Sequence, residues 1–252
     1  MVKLSAVIIT FNEERNIARC LESLRGVVDD IVVVDSFSTD RTEAICLENQ
    51  ARFVRHAFAG HIEQKNWAIT QALYPHVLSL DADEALSVEL KQAILVAKAN
   101  FNKQGYYMNR LTNYCGQWIR HCDWYPDRKL RLWDSRMGSW GGTNPHDKYR
   151  LLAGDKESDW LKGDLLHYSY YTVEEHKRQT EKFAKIGANA LLERGKKTHL
   201  LEAIVRSGFK FVRTYFLKAG FLDGLAGLRI CRITAQGTWL KYRMLSALQQ
   251  HS

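Results

Sequence analysis

Asp81 and Asp83 lie in the run His76-Val-Leu-Ser-Leu-Asp-Ala-Asp-Glu84, where an apolar strand should end. Side chains at i and i+2 of an extended segment point the same way, so two hard oxygen donors would converge there on one Mg²⁺ or Mn²⁺. A diphosphate held by the same ion would complete its shell. An acidic pair after a strand also suits a solvated turn, and the rest of the chain has to decide between the two. Arg128 and Arg131, in Tyr125-Pro-Asp-Arg-Lys-Leu-Arg-Leu-Trp133, offer guanidinium forks that match the oxygens of a diphosphate or an acidic ligand, with surface salt bridges as the alternative. His167, in Leu165-Leu-His-Tyr-Ser169, reads as a third metal ligand, a phosphate contact or a satisfied core histidine.

The elements that would position these groups are written in the first hundred residues. Short β-branched runs alternate with helical patterns: Ser5–Thr10 then Glu14–Arg25, Asp30–Val34 then Arg41–Gln50, Phe53–Arg55 then Ile62–Leu73, Val77–Leu80 then Ser87–Asn102. That alternation predicts an α/β fold with a mostly parallel, Rossmann-like sheet covered on both faces. The runs Val32-Val-Val34 and Val77-Leu-Ser-Leu80 are continuous, as strands buried on both faces should be. Ser38-Thr-Asp40 and Ser87 mark helix starts. Ligands of such sheets sit beyond the carboxyl ends of the strands, where Thr10-Phe-Asn-Glu13, Asp35-Ser-Phe-Ser-Thr-Asp40 and Asp81-Ala-Asp83 all fall. From Gly105 to about Tyr171 the pattern loosens into short strands and loops rich in Tyr106, Tyr107, Trp118, Trp124, Tyr125, Trp133 and Trp140, suited either to core packing or to the faces of sugars.

With 252 residues and 46% hydrophobic content, the chain is long enough for a large domain with an appendage. Its five cysteines are scattered, without Cys-x-x-Cys spacing, which argues against a disulfide framework or a zinc site and for reduced thiols in the cytosol. The first ten residues are too short for a signal-peptide core and read as a buried strand. The net charge of +8 is uneven: from Arg194 onward, eleven basic residues face two acids in 59 residues, leaving a body of 25 basic and 26 acidic side chains. Arg206, Lys210 and Arg213 recur at i, i+4 and i+7, among Val205, Phe209, Phe211, Val212, Tyr215 and Phe216. This is a cationic amphipathic helix, too interrupted to span a bilayer and suited to an anionic membrane surface. Packing on the body or on a second copy, through Gly220-Phe-Leu-Asp-Gly-Leu-Ala-Gly227, is the other use. Composition therefore predicts segments 1–104, 105–193 and a basic helical tail, 194–252.

Four motifs in order, Ser5-Ala-Val-Ile-Ile-Thr-Phe-Asn-Glu-Glu-Arg-Asn16, Ile31-Val-Val-Val-Asp-Ser-Phe-Ser-Thr-Asp40, Gln64-Lys-Asn-Trp-Ala68 and Leu80-Asp-Ala-Asp83, resemble those of inverting family 2 glycosyltransferases with the GT-A fold. Farther on the sequence is similar to small lipopolysaccharide-core β-glycosyltransferases of Gram-negative bacteria. The resemblance implies that Thr10, Phe11 and Glu13 line a nucleotide pocket, that Asp35 accepts a hydrogen bond from base or ribose, and that Lys65 lies near the nucleotide. It implies also that Asp81 contacts the ribose or metal shell and that Asp83 ligates Mg²⁺ or Mn²⁺. Asp35-Ser-Phe stands where many members carry Asp-Asp-Gly, so one acid of the usual pair is missing. In Gly141-Gly-Thr-Asn-Pro-His-Asp147, the acid after the His matches the family's base, with Asp147 where relatives often have Glu. A turn-capping Asp is the alternative.

The expected activity is transfer of one sugar, with inversion, from a nucleotide diphosphate donor to a lipid-linked saccharide, lipopolysaccharide inner core foremost, at the cytoplasmic side of the inner membrane. One carboxylate to deprotonate the acceptor and one cation to take up charge on the departing diphosphate suffice. A polyprenyl-phosphate glycosyltransferase would use the same donor half. A nucleotidyltransferase would need a Gly-rich amino-terminal loop that Thr10-Phe-Asn-Glu-Glu14 lacks. A nucleic-acid-binding module would leave the strand-end carboxylates without a purpose, so no nucleic-acid partner is expected.

Overall fold

A computed structural model describes residues 1–143 and 146–250, without the side chains of Thr143, His146, Asp155 and Gln250. The chain forms two compact units: Met1–Arg110 with Asp127–Tyr168, and Leu111–Pro126 with Ser169 onward. The helix Val173–Glu193 thus groups with the basic tail.

In the first unit, β1 (Leu4–Thr10), β2 (Asp30–Asp35), β3 (Arg52–Arg55) and β4 (His76–Asp81) form the parallel half of the sheet in the order β3-β2-β1-β4. Register is fixed by pairs such as Val7 with Val32 and with Ser79. Alternate side chains feed two cores. Ala6, Ile8, Val33, Leu78 and Leu80 pack against α1 (Ile17–Leu24), α2 (Thr42–Glu48) and α4 (Val88–Ala99), while Val7, Val32, Val34 and Val77 face α3 (His61–Ile69). The helix-start signals act as read: Asp40 accepts the Thr42 amide at 3.0 Å, and the Ser87 hydroxyl accepts the Leu90 amide at 3.1 Å.

Three expectations need correction. Helix α3 stops at Ile69 instead of Leu73, because the amides of Thr70, Gln71 and Ala72 bond back three residues, to Trp67, Ala68 and Ile69, and tighten the chain out of the α-helix. After Asp83 the chain turns into a short strand, β5 (Glu84–Leu86), that the sequence did not announce. The stretch read as short strands and loops contains long ones: β6 (Gly105–Tyr114), β8 (Asp127–Asp134) and β11 (Ser158–Tyr170) extend the sheet beyond β4 in antiparallel order, with β5 at the far edge. Opposite Tyr106 and Tyr107 the partner strand β8 carries one extra residue, Arg131, so the irregularity in the β6–β8 register lies on β8. A separate hairpin, β9 (Gly138–Thr143) with β10 (His146–Leu151), lays Trp140 and Tyr149 against Trp133 in the second core. Those tryptophans are packing residues.

In the second unit the end of β6 pairs with β7 (Gln117–Ile119), and α5 (Val173–Glu193) starts at a capping box of Thr172 and Glu175. Then follow α6 (Leu200–Val212), a π-helical turn (Arg213–Leu217), a 3₁₀ turn (Gly220–Asp223) and the long α7 (Gly224–Gln250). The glycines of Gly220–Gly227 serve a contact within the chain: a Cβ on Gly227 would stand 1.9 Å from the Gly220 carbonyl oxygen. All five cysteines are free thiols.

Candidate active site

The carboxyl ends of β1 and β2 are stitched into one pocket wall. Asp35, nearly wholly buried, accepts both the amide (2.7 Å) and the hydroxyl of Ser38. That hydroxyl in turn accepts the Asn12 amide at 2.7 Å, and the Asn12 side chain accepts the Thr39 amide at 2.8 Å. Asn12 and Phe37 adopt positive φ (54° and 65°) to allow this, a conformation asparagine tolerates better than most residues. Thr10 lies at the base of the wall with its buried hydroxyl unpartnered, and Phe11 and Phe37 stand exposed.

The Gln64-Lys65-Asn66 motif of α3 reaches three different places. Gln64 donates to the Ser36 hydroxyl (3.2 Å) and bonds His56 (2.8 Å), tying the helix to the end of β2. Asn66 exchanges two hydrogen bonds with the Trp140 backbone, at 2.9 and 3.0 Å, fastening β9. Lys65, buried between them, donates to Asp147 at 2.8 Å and lies 3.1 Å from Asp81. Its ammonium also sits 4.5 Å from the centre of the Trp140 ring. Fastening the hairpin to the helix is what brings Asp147, 66 positions from Asp81 in the chain, onto the same lysine.

Asp81 is shared further with Arg131, whose guanidinium approaches it at 2.8 Å and Glu84 at 2.7 Å. Burial opposes ionisation of Asp81, yet Arg131 and Lys65 together hold its carboxyl well below the usual range. Glu84, the residue sequence reasoning missed, is fully enclosed; it accepts the Asp81 amide at 3.0 Å and faces Arg110 at 3.4 Å. Its only advance signal was its place directly after the aspartates. Arg131 is therefore a buried partner of the carboxylates. Arg128 lies elsewhere, exposed, 4.9 Å above the Trp160 ring.

Asp83 points to another neighbour, with its carboxylate 3.1 Å from Nε2 of His167 on β11. The Tyr168 amide donates to the Asp83 carbonyl at 2.9 Å, locking the strand at that height. Glu13 completes the acidic side: burial raises its carboxyl above the ordinary range against the Asn16 hydrogen bond, and repulsion from Asp83 and Asp40 adds to the rise. Such crowding of negative charge favours a cation. Two donors each about 2.1 Å from an ion and at right angles to one another lie roughly 3 Å apart, which matches Asp83 and His167. Among the described residues no group of three or more His, Cys, Asp or Glu side chains is placed to hold a metal; Asp83 and His167 could supply two donors to a cation whose other positions were filled by water and substrate oxygens. That incomplete shell suits Mg²⁺ or Mn²⁺ beside a diphosphate. The residue before Asp147 has no described side chain, and Asn144 and Pro145 lie outside the described residues.

Residues 5–196 match the model of glycosyl transferase family 2. The chain belongs to that family. It is a glycosyltransferase, and its Rossmann-like sheet with flanking helices is the GT-A fold. An uncharacterized glycosyltransferase of Rickettsia typhi is 28% identical over 261 residues, covering 100% of this chain and 89% of its own. The lipopolysaccharide core biosynthesis glycosyltransferase LpsC of Rhizobium meliloti is 27% identical, covering 96% of this chain and 93% of its own. Among solved structures, S. aureus TarS covers 88% of this chain and 46% of its own at 16% identity, TM-score 0.48. Glucosyl-3-phosphoglycerate synthase of Mycobacterium tuberculosis, crystallised with Mn²⁺, UDP and glucosyl-3-phosphoglycerate, covers 44% of each chain at 22% identity, TM-score 0.37.

Proposed function

We propose that this glycosyltransferase moves a sugar, with inversion, from a nucleotide diphosphate donor to a lipid-linked saccharide of the lipopolysaccharide inner core. The observation that carries the chemistry is that Lys65 joins Asp147 to Asp81, two residues before Asp83, whose carboxylate lies 3.1 Å from His167. The acceptor class is supported by likeness to LpsC along nearly the whole of both chains. The working place is the cytoplasmic face of the inner membrane, where such an acceptor is assembled.

In this reading Thr10, Phe11, Glu13 and Asp35 line the nucleotide pocket, and Asp83 with His167 holds Mg²⁺ or Mn²⁺. The cation, when bound, neutralises charge developing on the departing diphosphate. Asp147 takes the proton from the acceptor hydroxyl as that oxygen attacks the anomeric carbon from the face opposite the leaving group. Lys65 keeps Asp147 aimed before reaction, by a 2.8 Å hydrogen bond. Arg131 and Glu84 hold Asp81, and Asp81 holds the other side of Lys65.

The test is a panel of nucleotide sugars offered with truncated core saccharides, the product read by mass and anomeric configuration. Transfer is expected with Mg²⁺ or Mn²⁺ present, and Asp83→Ala and Asp147→Asn should each abolish it while the circular dichroism spectrum stays unchanged. Undiminished transfer by Asp83→Ala would sink the metal assignment. Turnover with a saccharide-free polyprenyl phosphate in place of core saccharide would move the acceptor to the lipid phosphate.

A further inference from the structure

The second unit carries a surface that the transfer reaction leaves without a role. Helix α6 turns Ala203 inward, and Thr214 just beyond its end is also buried. Its large apolar residues face out. Leu201, Val205, Phe209, Val212 and Phe216, spaced by four, four, three and four, form one stripe, in which Leu201 is 71% and Phe209 62% exposed. A helix packed only for solubility would place these residues the other way round. The stripe runs on to Phe221 through edge contacts of Tyr215 with both Phe216 and Phe221. Contiguous exposed apolar surface of this kind marks an interaction site.

Charge decides what covers it. Arg206, Lys210 and Arg213 border the apolar stripe on a helical projection, Arg206 paired with Glu202 and Arg213 with Asp123, and the last 59 residues carry eleven basic side chains against two acids. Both acids are engaged internally. Glu202 bonds Arg206 and Thr198, and Asp223 accepts the His121 amide and faces its ring. A second copy laid on this face would bring like charge against like, with no tail carboxylate left to offset it. Anionic headgroups above acyl chains supply both the opposite charge and the apolar medium. No helix among the described residues is long and apolar enough to cross a membrane.

We infer that this stripe is the surface by which the protein docks on an anionic phospholipid bilayer, with α6 lying in the plane of the interface and its basic border reaching the headgroups. The inference deepens the membrane-side reading proposed above and rests on it for its purpose; vesicle binding, however, needs no sugar transfer. The full chain is sedimented with vesicles of phosphatidylcholine mixed with phosphatidylglycerol and with vesicles of phosphatidylcholine alone. Binding is expected to the mixed vesicles, weakened by added salt, and lowered at least about tenfold by Leu201→Ser/Phe209→Ser. Transfer to a detergent-dispersed acceptor should be unchanged in that variant. Equal vesicle binding by variant and native chain would overturn the inference. So would a lipid-free dimer that the variant dissociates, which would make the face a contact between copies, or tighter binding to duplex DNA than to mixed vesicles. A chain that binds vesicles as described and transfers no sugar would defeat the acceptor reading alone.

Discussion

Replacing Arg131 by Met keeps most of the aliphatic stem and removes the charge that Asp81 and Glu84 share. Asp81 retains Lys65 at 3.1 Å and is 28% exposed, so water and lysine absorb much of its loss. Glu84 has no exposed side-chain surface, and its remaining cation, Arg110, stands at 3.4 Å. Removing one member of a buried pair costs about 3–5 kcal/mol, chiefly through the charge left behind. Two considerations place this case near the lower end, at about 3 kcal/mol: Arg110 remains, and Arg131 already buries Nε and one terminal nitrogen without partners. Even so, the loss is a large share of the roughly 5–15 kcal/mol that holds a domain together. Urea unfolding should show the midpoint falling with an unchanged slope. Adding Glu84→Gln, which keeps an oxygen for the Asp81 amide, should restore at least half of the loss, a coupling of about 1.5 kcal/mol or more. A loss below about 0.5 kcal/mol, or strictly additive single and double variants, would refute the buried-network argument. If Arg131 instead contacted donor diphosphate, the donor KM would rise with stability intact.

His176 sits among Tyr114, Trp124 and Tyr170, and burial lowers its pKa to about 4. The unfolded chain, with a histidine near about 6.5, binds the proton first, so the native state is fully stable above that pH and loses about 3 kcal/mol as pH falls toward 4. His176→Phe should flatten that limb of the stability curve, measured by urea midpoints across the window; an unchanged slope would contradict it. Gly227→Ala forces a methyl to within 1.9 Å of the Gly220 carbonyl oxygen, and should cost about 3 kcal/mol, lowering the melting temperature by roughly 6–12 °C. Lys65→Met should cut transfer by about a hundredfold or more, because Asp147 loses its 2.8 Å partner, with a much smaller change in donor KM; a reverse pattern would make Lys65 a nucleotide contact.

Local, periodic information in the chain specifies one half of the protein. Buried strands such as Val32-Val-Val34, capped helices and the carboxylates at strand ends are each set by neighbours a few residues away, so the parallel half and Asp35, Asp81 and Asp83 were legible. The antiparallel half was not, because β8 carries an extra residue at Arg131 and β5 is only three residues long. Nor could spacing show which charges meet. Arg128 and Arg131 look alike in the chain, yet one lies in the open over Trp160 and the other is sealed beside Asp81 and Glu84. Lys65 reads as a surface helix lysine until Asn66 fastens the β9 hairpin and delivers Asp147 to it. Contacts between residues far apart in the chain depend on where the sheet carries each strand end, and only tertiary packing decides that.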